Sequence, residues 1–173
     1  MSEDIQTYVI RRSFLFPLGL LFLLTVALGV IGLLQGQPRG KLIILLIIVA
    51  PVAVLLLESL FRRVEIGATQ VRVIKLLRRR ALDFAALTAV ETVQVRKRVF
   101  LTICADDDFI IISNAYGDFP QLLQSLLARI PEHIVSDETR ALAATVPMKS
   151  SDVVSCWLAV ALLLVILWAQ FGA

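Results

Sequence analysis

SFLFPLGLLFLLTVALGVIGLL, residues 13–34, contains no charged side chain. A helix crossing a hydrocarbon core needs about 20 such residues, with ~17 at the short end. Two further stretches share this character. LIILLIIVAPVAVLLL, residues 42–57, falls just short, but Glu58 at its end can reach the interface, so residues 42–61 serve as the span. VVSCWLAVALLLVILWAQF, residues 153–171, is the third. One polar stretch separates the second run from the third. This layout predicts a multi-pass membrane protein of mixed α+β class.

Composition agrees. The 173 residues are 58% hydrophobic and 18% charged, with a mean hydropathy of +0.86, above the ~45–50% apolar share of a soluble domain. Removing the spans leaves residues 62–152 as the segment long enough to bury a core in water. The apolar run after Arg11 and Arg12 exceeds the roughly 7–15 residues of a secretory leader's core, so it reads as a span that is retained. Cys104 falls in a strand-like run and Cys156 in the third span. Neither position suggests a disulfide or a metal pair, and both read as buried thiols acting as small hydrophobes.

Orientation follows from the basic residues. Of seventeen, only Arg39 and Lys41 lie in the short connector 35–41, and the other fifteen lie on the side shared by the N-terminus and residues 62–152. Retention of Lys and Arg on the cytoplasmic side predicts a cytoplasmic N-terminus and domain and an external C-terminus. The expected organisation is a cytoplasmic N-terminus (1–12), a two-helix transmembrane hairpin (13–61), a folded domain (62–131), a connector (132–152) and a third transmembrane helix (153–171).

The spans read as an anchor. Transport and intramembrane catalysis need polar groups at membrane depth. Span one offers Thr25, span three Ser155 and Cys156 near one end, and span two nothing before Glu58. Pro51 can kink span two, and Trp157 and Trp168 bracket span three as interfacial anchors. Gly29 and Gly32, with Gly19 and Ala27, are the candidates for close helix packing, within this chain or against another.

From residue 62 the periodicity changes. Residues 64–66 and 71–77 are β-type runs flanking Gly67-Ala68-Thr69-Gln70. In residues 89–95, Val93 and Val95 share one face, with Thr92 and Gln94 on the other. In residues 99–105, Val99, Leu101 and Ile103 form the expected core face. Asp106-Asp107-Asp108 makes a polar turn before a short strand, residues 109–112. Leu122, Leu123, Leu126, Leu127 and Ile130 then recur at helical spacing, with Asp118 as expected N-cap, Pro120 early and Pro131 as terminator. Strands joined by hairpins and followed by one amphipathic helix predict a curled antiparallel sheet closed by a helix. Residues 138–145 suggest a further short helix.

This order resembles the bacterial pleckstrin-homology-like domains of small membrane proteins. Ile66-Gly67-Ala68-Thr69-Gln70-Val71-Arg72-Val73 looks like the family's opening hairpin. Residues 76–84 look like its arginine-containing second hairpin. Leu87-Thr88-Ala89-Val90-Glu91-Thr92-Val93 resembles its next strand entry, and Asp118-Phe119-Pro120-Gln121-Leu122-Leu123 its closing helix. The resemblance covers residues 63–130. It implies a PH-like antiparallel sheet or barrel closed by a C-terminal helix, on a bacterial cytoplasmic (inner) membrane, serving as a non-enzymatic binding or scaffolding module.

Two basic clusters, Arg78-Arg79-Arg80 and Arg96-Lys97-Arg98, are the candidate contact residues. They read either as contacts to anionic lipid headgroups or a partner, or as solvated hairpin edges that block strand-to-strand aggregation. The small net charge of +3, without aromatic residues interleaved in the clusters, argues against nucleic acid. The acidic turn has no Ca²⁺-loop pattern, His133 is a single histidine, and no phosphate-binding glycine loop occurs. No catalytic residue, metal or cofactor is expected. The expected role is a scaffold or accessory subunit that meets the lipid bilayer and another membrane protein or a second copy of itself. The alternative is a binder of anionic lipid headgroups through the basic hairpins.

Overall fold

The computed structural model describes residues 5–106, 108–144 and 151–172. Asp107 of the acidic turn, Thr145 of the suggested helix and Lys149 lie outside them. The described residues form two compact units: residues 5–11 with 61–144, and residues 12–60 with 151–172.

The second unit is helical. It comprises α1 (Arg12–Leu34), α2 (Arg39–Phe61) and α5 (Ser151–Gly172). All three are long and apolar enough to cross a membrane. At 1.5 Å per residue, 23 residues reach about 34 Å, against a hydrocarbon core of ~30 Å. α1 packs along α5, with the Phe16 and Trp157 rings 6.1 Å apart and Leu18 and Val160 buried. Thr25 is buried as well, and its hydroxyl donates to the Leu21 carbonyl at 2.6 Å. Their other faces stay open: Leu23, Ile47 and Leu162 are 64%, 66% and 62% exposed.

The first unit carries two antiparallel sheets. One has the order β1 (Gln6–Val9), β2 (Arg63–Ile66), β3 (Gln70–Ile74), β4 (Arg79–Asp83). The other has the order β5 (Ala89–Val95), β6 (Arg98–Ala105), β7 (Asp108–Ser113). After β7 come α3 (Phe119–Leu127) and α4 (Asp137–Ala144). Alternation puts Val64, Ile66, Val71, Val73 and Leu82 into the core from the first sheet, and Val90, Val99, Leu101, Ile103, Ile110 and Ile112 from the second. Phe119, Leu122, Leu123 and Leu126 of α3 are fully buried. The 3.6-residue apolar spacing read from the sequence is the buried stripe of that helix.

Four sequence expectations need correction. The strands form two sheets rather than one curled sheet. A short 3₁₀ turn at Phe84–Ala86 leads the chain out of the first sheet, β5 pairs with β6 rather than with β4, and neither sheet closes among the described residues. The N-terminal segment, for which no strand was expected, contributes β1 to the first sheet. β1 pairs with β2 across two intervening helices, and Ile10 is buried.

The connector is partly core. Val135 bridges to Val90, the Ser136 N–H donates to the Val90 carbonyl at 3.0 Å, and buried Thr139 shares a 2.8 Å hydrogen bond with Thr92. Ser136 also caps α4, accepting from the Thr139 N–H. Asp118 precedes α3 but makes no side-chain cap, because it turns in the left-handed region at φ 50.

Candidate interaction surfaces

The first basic cluster is divided by the fold. The Lys75 N–H donates to the Arg78 carbonyl at 2.8 Å, closing the β3–β4 turn. Leu76 and Leu77 form its tip, 40% and 91% exposed. Arg78 and Arg79 are exposed beside them, without an ion-pair partner among the described residues. Arg80 is committed elsewhere. Its Nη1 donates to Asp108 Oδ1 and to the Phe109 carbonyl, each at 2.9 Å, and its guanidinium lies 5.6 Å from the Phe109 ring centroid. An exposed ion pair alone contributes little, about 0–1 kcal/mol. This one joins β4 to β7, where the two sheets meet. Between those strands opens a cleft of about 180 Å³, lined by Val73, Lys75, Arg78, Arg80, Phe109 and Ile111 among others.

The second cluster lies elsewhere. Arg96 and Lys97 form the two-residue turn between β5 and β6, with Arg96 at φ 57, a conformation uncommon for a residue with a long side chain. Neighbours hold it there: Gln94 Nε2 donates to the Arg96 carbonyl at 3.0 Å and Asn114 Nδ2 to the Lys97 carbonyl at 2.9 Å. Arg98 opens β6, whereas Arg80 meets Asp108, the partner of Ala105 at the other end of that strand. At ~3.3 Å per residue, the length of β6 separates the two clusters by roughly 23 Å. They do not form one patch.

The outer face of the second sheet was legible only in part. Register sets Val93 beside Phe100, Thr102 beside Ile111, and Cys104 beside Phe109. Val93, Val95, Phe109 and Ile111 are 54%, 55%, 50% and 42% exposed. The Val93 and Val95 face read from the sequence is therefore the outward one. Val90 and Thr92 face inward, because they pair with buried Ile103 and Leu101. Cys104, like Cys156, is half-buried rather than buried.

In the helical unit, Gly29 and Gly32 face α2. A Cβ placed on either would lie 3.3 Å from a leucine methyl, Leu45 and Leu42 respectively. Both glycines therefore lie where a larger side chain would meet α2 of the same chain. Nothing comes within 4 Å of a Cβ placed at Gly19. His133 is exposed in a 3₁₀ turn, Glu132–Ile134.

Comparison with protein-family models, with curated proteins and with solved structures found no match for this chain.

Proposed function

We propose that this chain is a non-enzymatic, membrane-anchored scaffold or accessory subunit, whose sheet-and-helix unit docks another membrane protein or a second copy of the chain. The observation that carries the reading is the apolar outer face of the second sheet. An antiparallel sheet that turns one face to water is ordinarily polar on that face, and a contiguous exposed apolar patch marks an interaction site. Val93, Phe100 and Ile111 lie on that face, with Val95 and Phe109 at its ends, and Glu91, Thr102 and Ser113 are the polar residues among them. The PH-like resemblance supports the same reading: two antiparallel sheets followed by a helix are compatible with the fold it implies.

Membrane anchoring belongs to this proposal. Exposing a large aliphatic side chain rather than burying it forgoes about 1.5–3 kcal/mol, and the three long helices expose many of them. A bilayer removes that cost. The distribution of basic residues supports a cytoplasmic location for the N-terminus and the sheet unit, and the PH-like resemblance implies the inner membrane of a bacterium.

Two measurements test the proposal. In a Cys104→Ser, Cys156→Ser background, Gln35→Cys is expected to react with an impermeant maleimide in intact cells, and Lys97→Cys is not. The reverse pattern overturns the orientation. A photo-crosslinking amino acid at Val93 of the full chain, in its native host, is expected to give a discrete adduct that Ile111→Lys weakens at least severalfold. A uniform smear unaffected by that substitution would show the face to be unoccupied.

A further inference from the structure

The register of the first sheet lines up one row of residues across all four strands: Val9, Arg63, Ile74 and Arg79. The chain leaves this row at Val9 and begins α1 at Arg12. It comes back from the end of α2 at Phe61 to Arg63. With at most ~3.3–3.6 Å per residue, the row is held within a few residues of the ends of both spans. The turn that caps the row on the β3–β4 side is Lys75-Leu76-Leu77-Arg78.

That turn departs from ordinary turn chemistry. Gly, Pro, Asn, Asp and Ser favour such positions, each for a backbone reason. Here two leucines occupy the tip, one of them 91% exposed, between Lys75 and the Arg78-Arg79 pair. A turn facing only water gains nothing from this pattern. A turn at a bilayer surface gains twice, from apolar side chains in the interfacial region and from cations beside anionic headgroups. The cleft next to the turn has Lys75, Arg78 and Arg80 in its lining and apolar Val73, Phe109 and Ile111 beside them. Its 180 Å³ is well above the ~10–15 Å³ that one water requires. Arg80 reaches it with its charge already offset by Asp108, which leaves Lys75 and Arg78 as the cations for an incoming anion.

We infer that the β3–β4 turn is a membrane-contact element. Leu76 and Leu77 enter the interfacial layer of the bilayer that the helices span, and Lys75, Arg78 and Arg79 hold the phosphates of anionic lipids, with the adjacent cleft taking one headgroup. The inference rests on the proposed membrane anchoring and is independent of the docking face. Arg96 and Lys97, at the far end of β6, take no part. Three basic side chains at an anionic surface together favour the docked form on the order of a hundredfold. In an anchored unit they fix its orientation rather than recruit it.

The test uses the full chain in the Cys104→Ser, Cys156→Ser background, with an environment-sensitive fluorophore on Leu77→Cys. The protein is reconstituted in vesicles of phosphatidylcholine, with or without phosphatidylserine. Parallel samples carry the label at Leu162→Cys in α5 or at Lys97→Cys. At position 77 the expected result is blue-shifted emission quenched by nitroxide-bearing lipids. The quenching should rise severalfold with phosphatidylserine, and that rise should vanish when Lys75, Arg78 and Arg79 become glutamine. Position 162 should be quenched in every vesicle, and position 97 should remain water-like. Water-like emission at 77 beside a quenched 162 overturns the turn's contact and leaves the spans standing. An unquenched 162 overturns the anchoring and the contact with it. Equal quenching at 77 in both vesicle types overturns the role assigned to the charges.

Discussion

Hydrogen exchange at the β6 amides is expected to accelerate by roughly two to four powers of ten when Tyr116 is replaced by alanine in the full chain. Loss of a fully buried large aromatic costs about 3–5 kcal/mol, and each ~1.4 kcal/mol is tenfold in an opening equilibrium. Tyr116 is 0% exposed, and three segments converge on it. Its hydroxyl accepts from Arg62 Nε at 3.1 Å, the Arg62 guanidinium stands 5.5 Å from its ring centroid, and its carbonyl accepts from Arg11 Nε at 3.2 Å. The Arg11 N–H meets the Ala115 carbonyl, and the Gly117 N–H meets the Val9 carbonyl. Residues 115–117 thus tie Val9 and Arg11, just before α1, and Arg62, just after α2, to the segment that follows β7. Tyr116→Phe keeps the ring and loses only the hydroxyl contact to a partly exposed arginine, about 1 kcal/mol, so its exchange should rise only severalfold. Parent-like protection in Tyr116→Ala would place this ring outside the cooperative core.

Replacing residues 5–10, IQTYVI, by a glycine–serine segment of the same length is expected to cost at least about 4 kcal/mol, since burial of one isoleucine alone is worth ~2–5. The replaced segment supplies all of β1. It removes buried Ile10, the 2.9 Å Tyr8–Ser125 hydrogen bond to α3, and the side chains paired along β2. Exchange at β2 and β3 should accelerate by about three powers of ten or more. Exchange within α1 and α5, which belong to the other unit, should change little. Unchanged protection at β2 would mean that the first sheet is complete with three strands.

Local pattern was enough for much of the architecture. Three charge-free runs became the three long helices, since apolar length depends on no partner. Strands β5, β6 and β7 and helix α3 follow from periods of two and 3.6 with turn residues between them. The core face of β6 was legible because Val99, Leu101 and Ile103 alternate with partly polar neighbours. The location of both basic clusters at hairpin turns was legible for the same reason.

Long-range pairing decided the rest. Gln6–Val9 is too short and too polar to announce itself as a strand, and its partner lies two helices further along the chain, so only the assembled sheet reveals it. In β5 the alternation separates Val93 and Val95 from Thr92, but both faces carry apolar residues. The inward face was chosen by pairing with β6 and by Thr139, which satisfies the Thr92 hydroxyl. The two basic clusters look alike in sequence. Strand register sends one to the end of the first sheet where β1 leads into α1 and α2 leads into β2, and the other to the opposite end of β6, and it draws Arg80 out of its cluster to Asp108. Leu76 and Leu77, which read as the continuation of an apolar strand, became an exposed tip because β3 stops at Ile74, where it pairs with Arg79. Composition set what the chain must bury. The pairing of distant strands set what it leaves exposed, because exposure belongs to a surface and no single segment contains one.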